Sequence, residues 1–416
     1  MEKKPRVPVY IQILAGAILG VICGLILPEY SPFGGFLGTL FLRLLKMLII
    51  PLIFSSIVMG VVSTSSASSF GRLGLKTLVY YISTSLLAIL TGQLFVNLLQ
   101  PGVGTHLHAA AQVKSTTTFS LKDIFLNMVP DNIFSAMASG DVLPIIFFAL
   151  LAGFFIGVLG QKQRQTLTDL MDAIYQLMMK ITGFVILLAP VGIFGLIYKT
   201  VASTGTAVFG NLMFYFFTVL AGLVVHFFVT LPLLLHLFTR QNPYRFMKQM
   251  IAPLVTAFST SSSSATLPLT IETIETEAGV SNRVAGFVLP LGATINMDGT
   301  ALYECAAVIF IAQAYGYHLS MGAQVVVVVT ALLVSIGAAG IPMAGLVMMT
   351  VILNAVHLPL EGVGLIIAVD RFLDMFRTAT NVLSDSTGAK IIDYSEQKLL
   401  SRQGASPQGE IATPTP

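Results

Sequence analysis

Apolar residues fill this chain in long blocks, and the blocks define its elements. They fall at roughly 9–28, 36–62, 77–99, 128–160, 173–198, 207–238, 284–314 and 361–395, separated by polar breaks. Runs such as Leu212 to Leu237 exceed the roughly 20 residues that cross a bilayer as a helix. Two further apolar segments, 244–275 and 321–355, are interrupted in the middle by Ser, Gly and Pro. The pattern predicts an all-α polytopic membrane protein with eight transmembrane helices and two re-entrant helical hairpins.

Composition agrees. Of 416 residues, 55% are hydrophobic and 10% charged, with a mean hydropathy of +0.86; soluble domains carry about a quarter charged residues. No acidic residue stands between Asp172 and Glu272. A net charge of +3 decides little in such a chain, and no nucleic-acid partner is expected. Cys23 and Cys305 lie in apolar segments without CxxC or zinc spacing, so they read as ordinary buried thiols. The basic N-terminus followed by a long apolar stretch, without a persuasive small-residue cleavage site, reads as a retained first span.

The charge distribution sets an orientation. If the chain starts inside and alternates, fourteen Lys and Arg fall on the inner side, and three (Lys114, Lys122 and Lys199) on the outer. By the positive-inside rule both termini are cytoplasmic, and each interrupted segment returns to the side it came from. The first hairpin turns within Ser259 to Pro268, and the second near Ser335 to Pro342. Their tips are expected to meet near mid-membrane, buried in protein or lining a watery cavity, because irregular backbone is not tolerated in hydrocarbon. Each hairpin is followed by a polar-studded span, the pattern of inverted repeats with a site at their interface, and hence of a transporter.

Candidate chemistry concentrates in those two spans. Asp370, Asp374, Arg377, Asn381 and Asp385 are spaced by 4, 3, 4 and 4, on one face of a helix. Each charge at mid-membrane costs roughly 2.5 to 3.5 kcal/mol on insertion scales, so this stripe must face protein, water or ligand. A self-neutralising network of Arg377 with Asp374 and Asp370 would still leave an excess of carboxylate that calls for a cation. In the preceding span, Asn296, Thr300 and Glu304 share a face, and Asp298 points away from them. Gly299 weakens the helix there and frees carbonyls to meet an ion. Asp298 therefore needs a partner on its far side, and Tyr81, Thr84 and Ser85 in the third span offer three oxygens on one face. An all-oxygen shell with a carboxylate suits sodium, by the logic of other hard cations. Hydrogen bonding between helices is the alternative use of that trio. The six histidines are scattered, four of them near span ends, and receive no role. The serine run Ser261 to Ser264 has no base at useful spacing and no GxSxG elbow, so an intramembrane hydrolase finds little support.

The serine-rich hairpin ending TLP, the NMDGT break, the SIGAAGIP hairpin and DRFLDMFRTATNVLSD in the last span occur here in one order. In this, the chain resembles the glutamate/aspartate transporter family, the dicarboxylate/amino acid:cation symporters, over essentially 9–400. The resemblance implies sodium-coupled symport of L-glutamate or L-aspartate by a homotrimer in a plasma or inner cell membrane, without an organic cofactor. It implies a static scaffold (1–76 and 128–206) and a transport domain moving as an elevator (77–127 and 207–400); the tail (401–416), rich in Pro, Gly, Ser and Thr, is expected from its composition to be disordered.

Residue by residue, the resemblance assigns Arg377 to the substrate's side-chain carboxylate and Asp374 to its amino group. Further substrate contacts fall to Thr378, Asn381, Thr300, Ser263, Ile341 and Gly345. Three sodium sites are implied: Asp385 with Gly292, Asn296 and Asn381; Thr294 with Met297, Ser335, Ile336 and Ala338; Asp298 with Tyr81, Thr84, Ser85 and Asn296. Glu304 matches a proton-carrying glutamate of animal-type members; a permanently protonated donor is the alternative. Where archaeal-type and animal-type members carry a further arginine, this chain has Ser261 and Met375, so a second cation near Asp374 is expected to be missing. Rivals are a neutral amino acid exchanger, disfavoured by Arg377, and a C4-dicarboxylate symporter, disfavoured by Asp374. An anion channel is disfavoured because no span carries a ring of positive residues.

Overall fold

The structure is a computed structural model that describes residues 9–65, 72–105, 126, 129–139, 142–204, 207–335 and 344–402. Among them there is no strand. The helices are α1 Val9–Ile26, α2 Ser31–Ser65, α3 Arg72–Leu99, α4 Ile133–Ser139, α5 Val142–Val158, α6 Gln161–Leu187, α7 Ala189–Thr204, α8 Ala207–Val225 and α9 Leu231–Thr239. They continue with α10 Pro243–Gln249, α11 Ile251–Thr260, α12 Ser263–Thr276, α13 Asn282–Ile295, α14 Asp298–Ala314, α15 Met321–Ser335, α16 Ala344–Ala355 and α17 Val363–Arg402.

The outer helices present apolar side chains outward, the reverse of a soluble protein: Leu19, Leu25, Leu94, Leu98 and Phe155 are all exposed. Among the described residues, three helical stretches, Arg72–Leu99, Gly210–Thr239 and Asn282–Ala314, are long and apolar enough to cross a membrane, or up to five if two bent pairs each count as one. The protein is thus an integral membrane protein. The expected span at 173–198 straddles a bend of 55° between α6 and α7, just before Pro190; a continuous apolar run reveals hydrophobicity but not such a bend. The π turn His226–Thr230 joins α8 to α9 without interrupting the span.

Small residues let the first group of helices approach closely. Gly20 and Gly24 of α1 lie against α7, where an added Cβ would come 2.8 Å from the Phe194 carbonyl oxygen and 2.7 Å from Val201. α2 packs on α5, α6 and α7. The second group gathers around α14, whose residues from Asp298 to Ala312 are all buried, enclosed by α3, α15, α16 and α17.

The first hairpin turns more tightly than its sequence suggests. Asn242 caps α10 by accepting from the Tyr244 and Arg245 amides at 3.0 and 3.2 Å. α11 then ends at Ser261, which adopts a left-handed φ of 51°. Ser262 immediately caps α12, its Oγ accepting from Ala265 N at 3.2 Å. The turn is thus two residues long, and the remaining serines are helical. The tip of the second hairpin, with Ile336, Ala338 and Ile341, lies outside the described residues.

Ionic contacts beyond the apolar core fix the end of α17. Glu396 accepts from Arg72 Nε at 3.1 Å, Arg72 Nη2 at 3.0 Å and Lys76 Nζ at 2.8 Å. Asp393 accepts from Ser281 Oγ at 2.6 Å, and Lys390 donates to the Ala278 carbonyl at 2.6 Å. The Arg72 hydrogen bond, with Lys76 beside it, holds the Glu396 carboxyl below the usual carboxylate range. A depressed carboxylate adds stability above its unfolded value and loses it as pH falls through its folded value. Glu396→Gln is therefore expected to lower thermal stability in detergent at neutral pH by on the order of 1 kcal/mol or less, solvent screening allowed for. The gap from wild type should close on acidification and shrink in concentrated choline chloride. A gap that persists in acid would contradict this account.

Candidate functional site

The predicted stripe of α17 is buried along its whole length, Asp370 and Arg377 each being 1% exposed. Arg377 Nη2 donates to Asp374 Oδ1 at 2.7 Å, Nη1 stands 3.1 Å from Asp370 Oδ1, and the guanidinium lies 3.9 Å from the centre of the Tyr303 ring. This is the network foreseen from the spacing, with one addition. Arg371 Nη1 lies 3.7 Å from Asp374 Oδ2. The expectation that no second cation stands near Asp374 is thus corrected: three residues earlier on the same helix, one turn brings it there. Two arginines and two aspartates cancel.

Within this network Arg377 Nε and Nη1, both carboxylate oxygens of Asp370 and Asp374 Oδ2 make no hydrogen bond. Gly345 brings backbone against the guanidinium, since a Cβ there would sit 3.0 Å from Nη1 and 3.4 Å from Thr300 Cγ2. One edge of a guanidinium fork and the unbonded carboxylate oxygens, Asp374 Oδ2 among them, therefore retain bonding capacity, the complement of a carboxylate and an ammonium.

The second half of the site is built on the break between α13 and α14. The break falls at Asn296 and Met297, just before Gly299, so Gly299 lies in the first turn of α14. There, an added Cβ would come 2.6 Å from the Arg377 carbonyl oxygen. The residue provides close approach between α14 and α17. Asn381 fastens the same junction: its Oδ1 accepts from Gly299 N at 2.8 Å, and its Nδ2 donates to Met297 Sδ at 3.2 Å and Thr300 Oγ1 at 3.3 Å.

Asp298 receives Ser85 Oγ at 2.7 Å, as the far-side partnership with the third span predicts. Thr84 Oγ1 instead donates to Asn296 Oδ1 at 3.4 Å, and Tyr81 Oη to the Val288 carbonyl at 2.6 Å. Asn296 was expected to face away from Asp298. The non-helical backbone at 296 and 297 resets the rotation, and the two meet through Ser384, which accepts from Asn296 Nδ2 at 3.0 Å and donates to Asp298 Oδ2 at 2.6 Å. Asn296 Nδ2 also donates to Asp385 Oδ1 at 2.8 Å. Gly292 is required beside them: an added Cβ would overlap Asp385 Oδ1 and lie 2.6 Å from Tyr81 Oη.

Two participants escape a reading of spacing. His226 is fully buried, with Nε2 3.2 Å from Asp298 Oδ2, so the absence of a role expected for it is corrected. Its signal was its place in the middle of an apolar run, unlike the histidines near span ends. Ser384 carried no signal beyond adjacency to Asp385.

Other predicted residues are placed less closely. Thr378 Oγ1 donates to the Asp374 carbonyl at 2.8 Å, and Ser335 Oγ to the Leu332 carbonyl at 2.8 Å. Ser263 is buried in the first turn of α12. Thr294 is exposed and bonds within its own helix, to the Leu291 carbonyl at 3.0 Å. Glu304 is fully buried, and neither carboxyl oxygen has a hydrogen bond.

Asp298, Glu304 and Asp385 thus lie in the protein interior with no Arg or Lys within ion-pair distance among the described residues, His226 being the one basic group on Asp298. No group of three His, Cys, Asp or Glu able to hold a metal occurs among the described residues. What the site offers is carboxylate, amide, hydroxyl and carbonyl oxygen, the donor set of a hard monovalent cation.

Comparison with known proteins gives a consistent result. Residues 9–395 match the sodium:dicarboxylate symporter family. The chain is 37% identical to excitatory amino acid transporter 3 of Mus musculus, covering 96% of this chain and 88% of that protein. It is 37% identical to the human protein of the same name over 98% and 89%, and to an excitatory amino acid transporter of Caenorhabditis elegans over 93% and 87%.

The close approaches at the break generate a test. Gly299→Ala sets a methyl against backbone that cannot swing aside, and overpacking of this kind costs about 1–3 kcal/mol. It should lower thermal stability by that amount, whereas Gly292→Ala, meeting a carboxylate that can rotate, should cost less stability and instead displace Asp385. Thermal unfolding of both variants checks the order, and a Gly299→Ala protein as stable as wild type would contradict the packing described.

Proposed function

From its membership of the sodium:dicarboxylate symporter family, to which the chain belongs across residues 9–395, we propose how its residues divide the work of transport. The protein is a sodium-coupled symporter of acidic amino acids and not an enzyme. The observation that carries the assignment of its site is electrostatic: Arg371, Arg377, Asp370 and Asp374 cancel, while Asp298, Glu304 and Asp385 remain beside the broken helix with no Lys or Arg within ion-pair distance among the described residues. Buried carboxylates of that kind are compensated by a cation or by a proton.

In this reading, the substrate's side-chain carboxylate binds the Nε and Nη1 edge of Arg377, beside Gly345, where two parallel hydrogen bonds are available. Its ammonium binds Asp374 through Oδ2. Thr378, Asn381, Thr300, Ser263 and Ile341 complete the substrate contacts. One sodium binds at Asp385 with Gly292, Asn296 and Asn381, and one at Asp298 with Tyr81, Thr84, Ser85 and Asn296. A third lies at Thr294, Met297, Ser335, Ile336 and Ala338. Glu304 carries a proton. Because cation and substrate sites share the α13–α14 break and the Asn381 bridge, occupancy of one raises affinity at the other, the reciprocity that coupled transport requires.

Eight spans and two hairpins with both termini cytoplasmic are the topology we propose, arranged as a homotrimer. The helices of 1–76 and 128–206 act as scaffold, while 77–127 and 207–400 move together as an elevator. α1, α2, α5, α6 and α7 pack more extensively on one another than on the helices gathered round α14, which they meet chiefly through α16 and α17, and this supports the division. A C4-dicarboxylate carrier would have no use for Asp374, and a neutral exchanger none for Arg377.

Uptake of labelled L-aspartate and L-glutamate into liposomes tests the reading. Concentrative uptake should require an inward sodium gradient, fail with potassium in its place, and yield to unlabelled acidic amino acids at far lower concentrations than to serine, alanine or succinate. Asp385→Asn should raise the sodium needed for half-maximal uptake at least about tenfold, ~1.4 kcal/mol. Glu304→Gln should remove the response of uptake to an imposed pH gradient while sodium dependence remains. Uptake indifferent to sodium, or a pH response intact in Glu304→Gln, would overturn the respective assignment.

A further inference from the structure

The two oxygens of Asp374 have different neighbours. Oδ1 accepts a hydrogen bond from Arg377 Nη2 at 2.7 Å, while Oδ2 accepts none and faces Arg371 Nη1 at 3.7 Å. That distance exceeds a hydrogen bond and remains short for two opposite charges. Arg371 is 28% exposed, whereas Arg377 is 1% exposed, so Arg371 stands at the edge of the charge network with Arg377 at its centre. A guanidinium is always protonated, and in a membrane-spanning helix it must face protein or water rather than lipid.

The geometry points to Arg371 as a specificity-determining residue, one that sets how strongly the site prefers a dicarboxylate bearing an amino group over one without it. This rests on the reading that Asp374 receives the substrate's ammonium. An ammonium reaching Oδ2 arrives at the oxygen Arg371 already faces, and the two positive charges oppose one another. A dicarboxylate lacking the amino group meets no such opposition and is drawn in by the same guanidinium. With Arg371 present, the two arginines and two aspartates sum to zero. Without it they carry one net negative charge, centred on the carboxylate that takes the ammonium. Removing the charge must therefore strengthen binding of the amino acid and weaken that of the plain dicarboxylate, shifting the two affinities in opposite directions.

L-Aspartate and succinate differ only in the amino group, and they make the comparison clean. Sodium-driven L-aspartate uptake is measured in liposomes for wild type, Arg371→Met and Arg371→Lys, with succinate as competitor. Arg371→Met should raise the ratio of the succinate inhibition constant to the L-aspartate KM by about fivefold, a value reduced by screening at a partly exposed group. Arg371→Lys, which keeps the charge, should hold the ratio within about twofold of wild type. A merely structural role would move both constants together and leave the ratio alone. An unchanged ratio in Arg371→Met, or an equal change in both variants, overturns the inference while wild-type uptake leaves the transport reading standing. If Arg371→Met gives no uptake, succinate and L-aspartate protection against thermal unfolding is compared in detergent, with the same ratio expected. Absence of sodium-driven uptake by wild type itself overturns the transport reading, and this inference with it.

Discussion

Negative charge held away from water is the constraint on which the rest of this structure depends. Asp298, Asp385 and Glu304 are buried among helices that present hydrocarbon side chains outward, where an uncompensated carboxylate costs several kcal/mol. The protein answers this in two ways. Along the first part of α17 it supplies arginines at helical spacing, making a neutral cluster with bonding capacity left at Arg377 and Asp374. Around the α13–α14 break it supplies neutral oxygens and amides, with His226 on Asp298 the one basic side chain among the described residues, and leaves room for a compensating charge from outside. The first arrangement suits a zwitterionic acid, and the second a small cation.

The break joins the two. Asn381 reaches from α17 to Met297, Gly299 and Thr300, and Ser384, on the same helix, links Asn296 to Asp298. Gly292 and Gly299 permit the helices to approach closely enough for these bonds to form. In the proposed reading, cation and substrate act on a single piece of irregular backbone held in place by one helix, so that a change at either end is felt at the other.

Much of this was legible in the sequence. The 4, 3, 4, 4 spacing of Asp370, Asp374, Arg377, Asn381 and Asp385 placed them on one face, and the need of Asp298 for a partner in the third span was met by Ser85. Helical spacing extrapolates only through intact helix, however. Spacing alone turns Asn296 away from Asp298, whereas the backbone rotates at 296 and 297 and brings both to Ser384, as the family resemblance implies by grouping them; Gly299 marks the neighbourhood of the break rather than its position. His226 was invisible for a different reason: its partner lies 72 residues away, and no local pattern brings them together. Arg371 sat in view within DRFLDMFR, but its role depends on which carboxylate oxygen it faces, which sequence does not contain. The bend between α6 and α7 left no mark in the hydropathy of the run.

The central claim is that the buried carboxylates around the break hold sodium, and it can be tested without transport. Equilibrium binding of radioactive sodium to the purified protein, in the absence of substrate and with choline keeping ionic strength constant, should be saturable. Binding should weaken at least about tenfold in Asp298→Asn and in Asp385→Asn, ~1.4 kcal/mol each. Saturable binding untouched by both substitutions, or no saturable binding in the wild-type protein, would contradict the account.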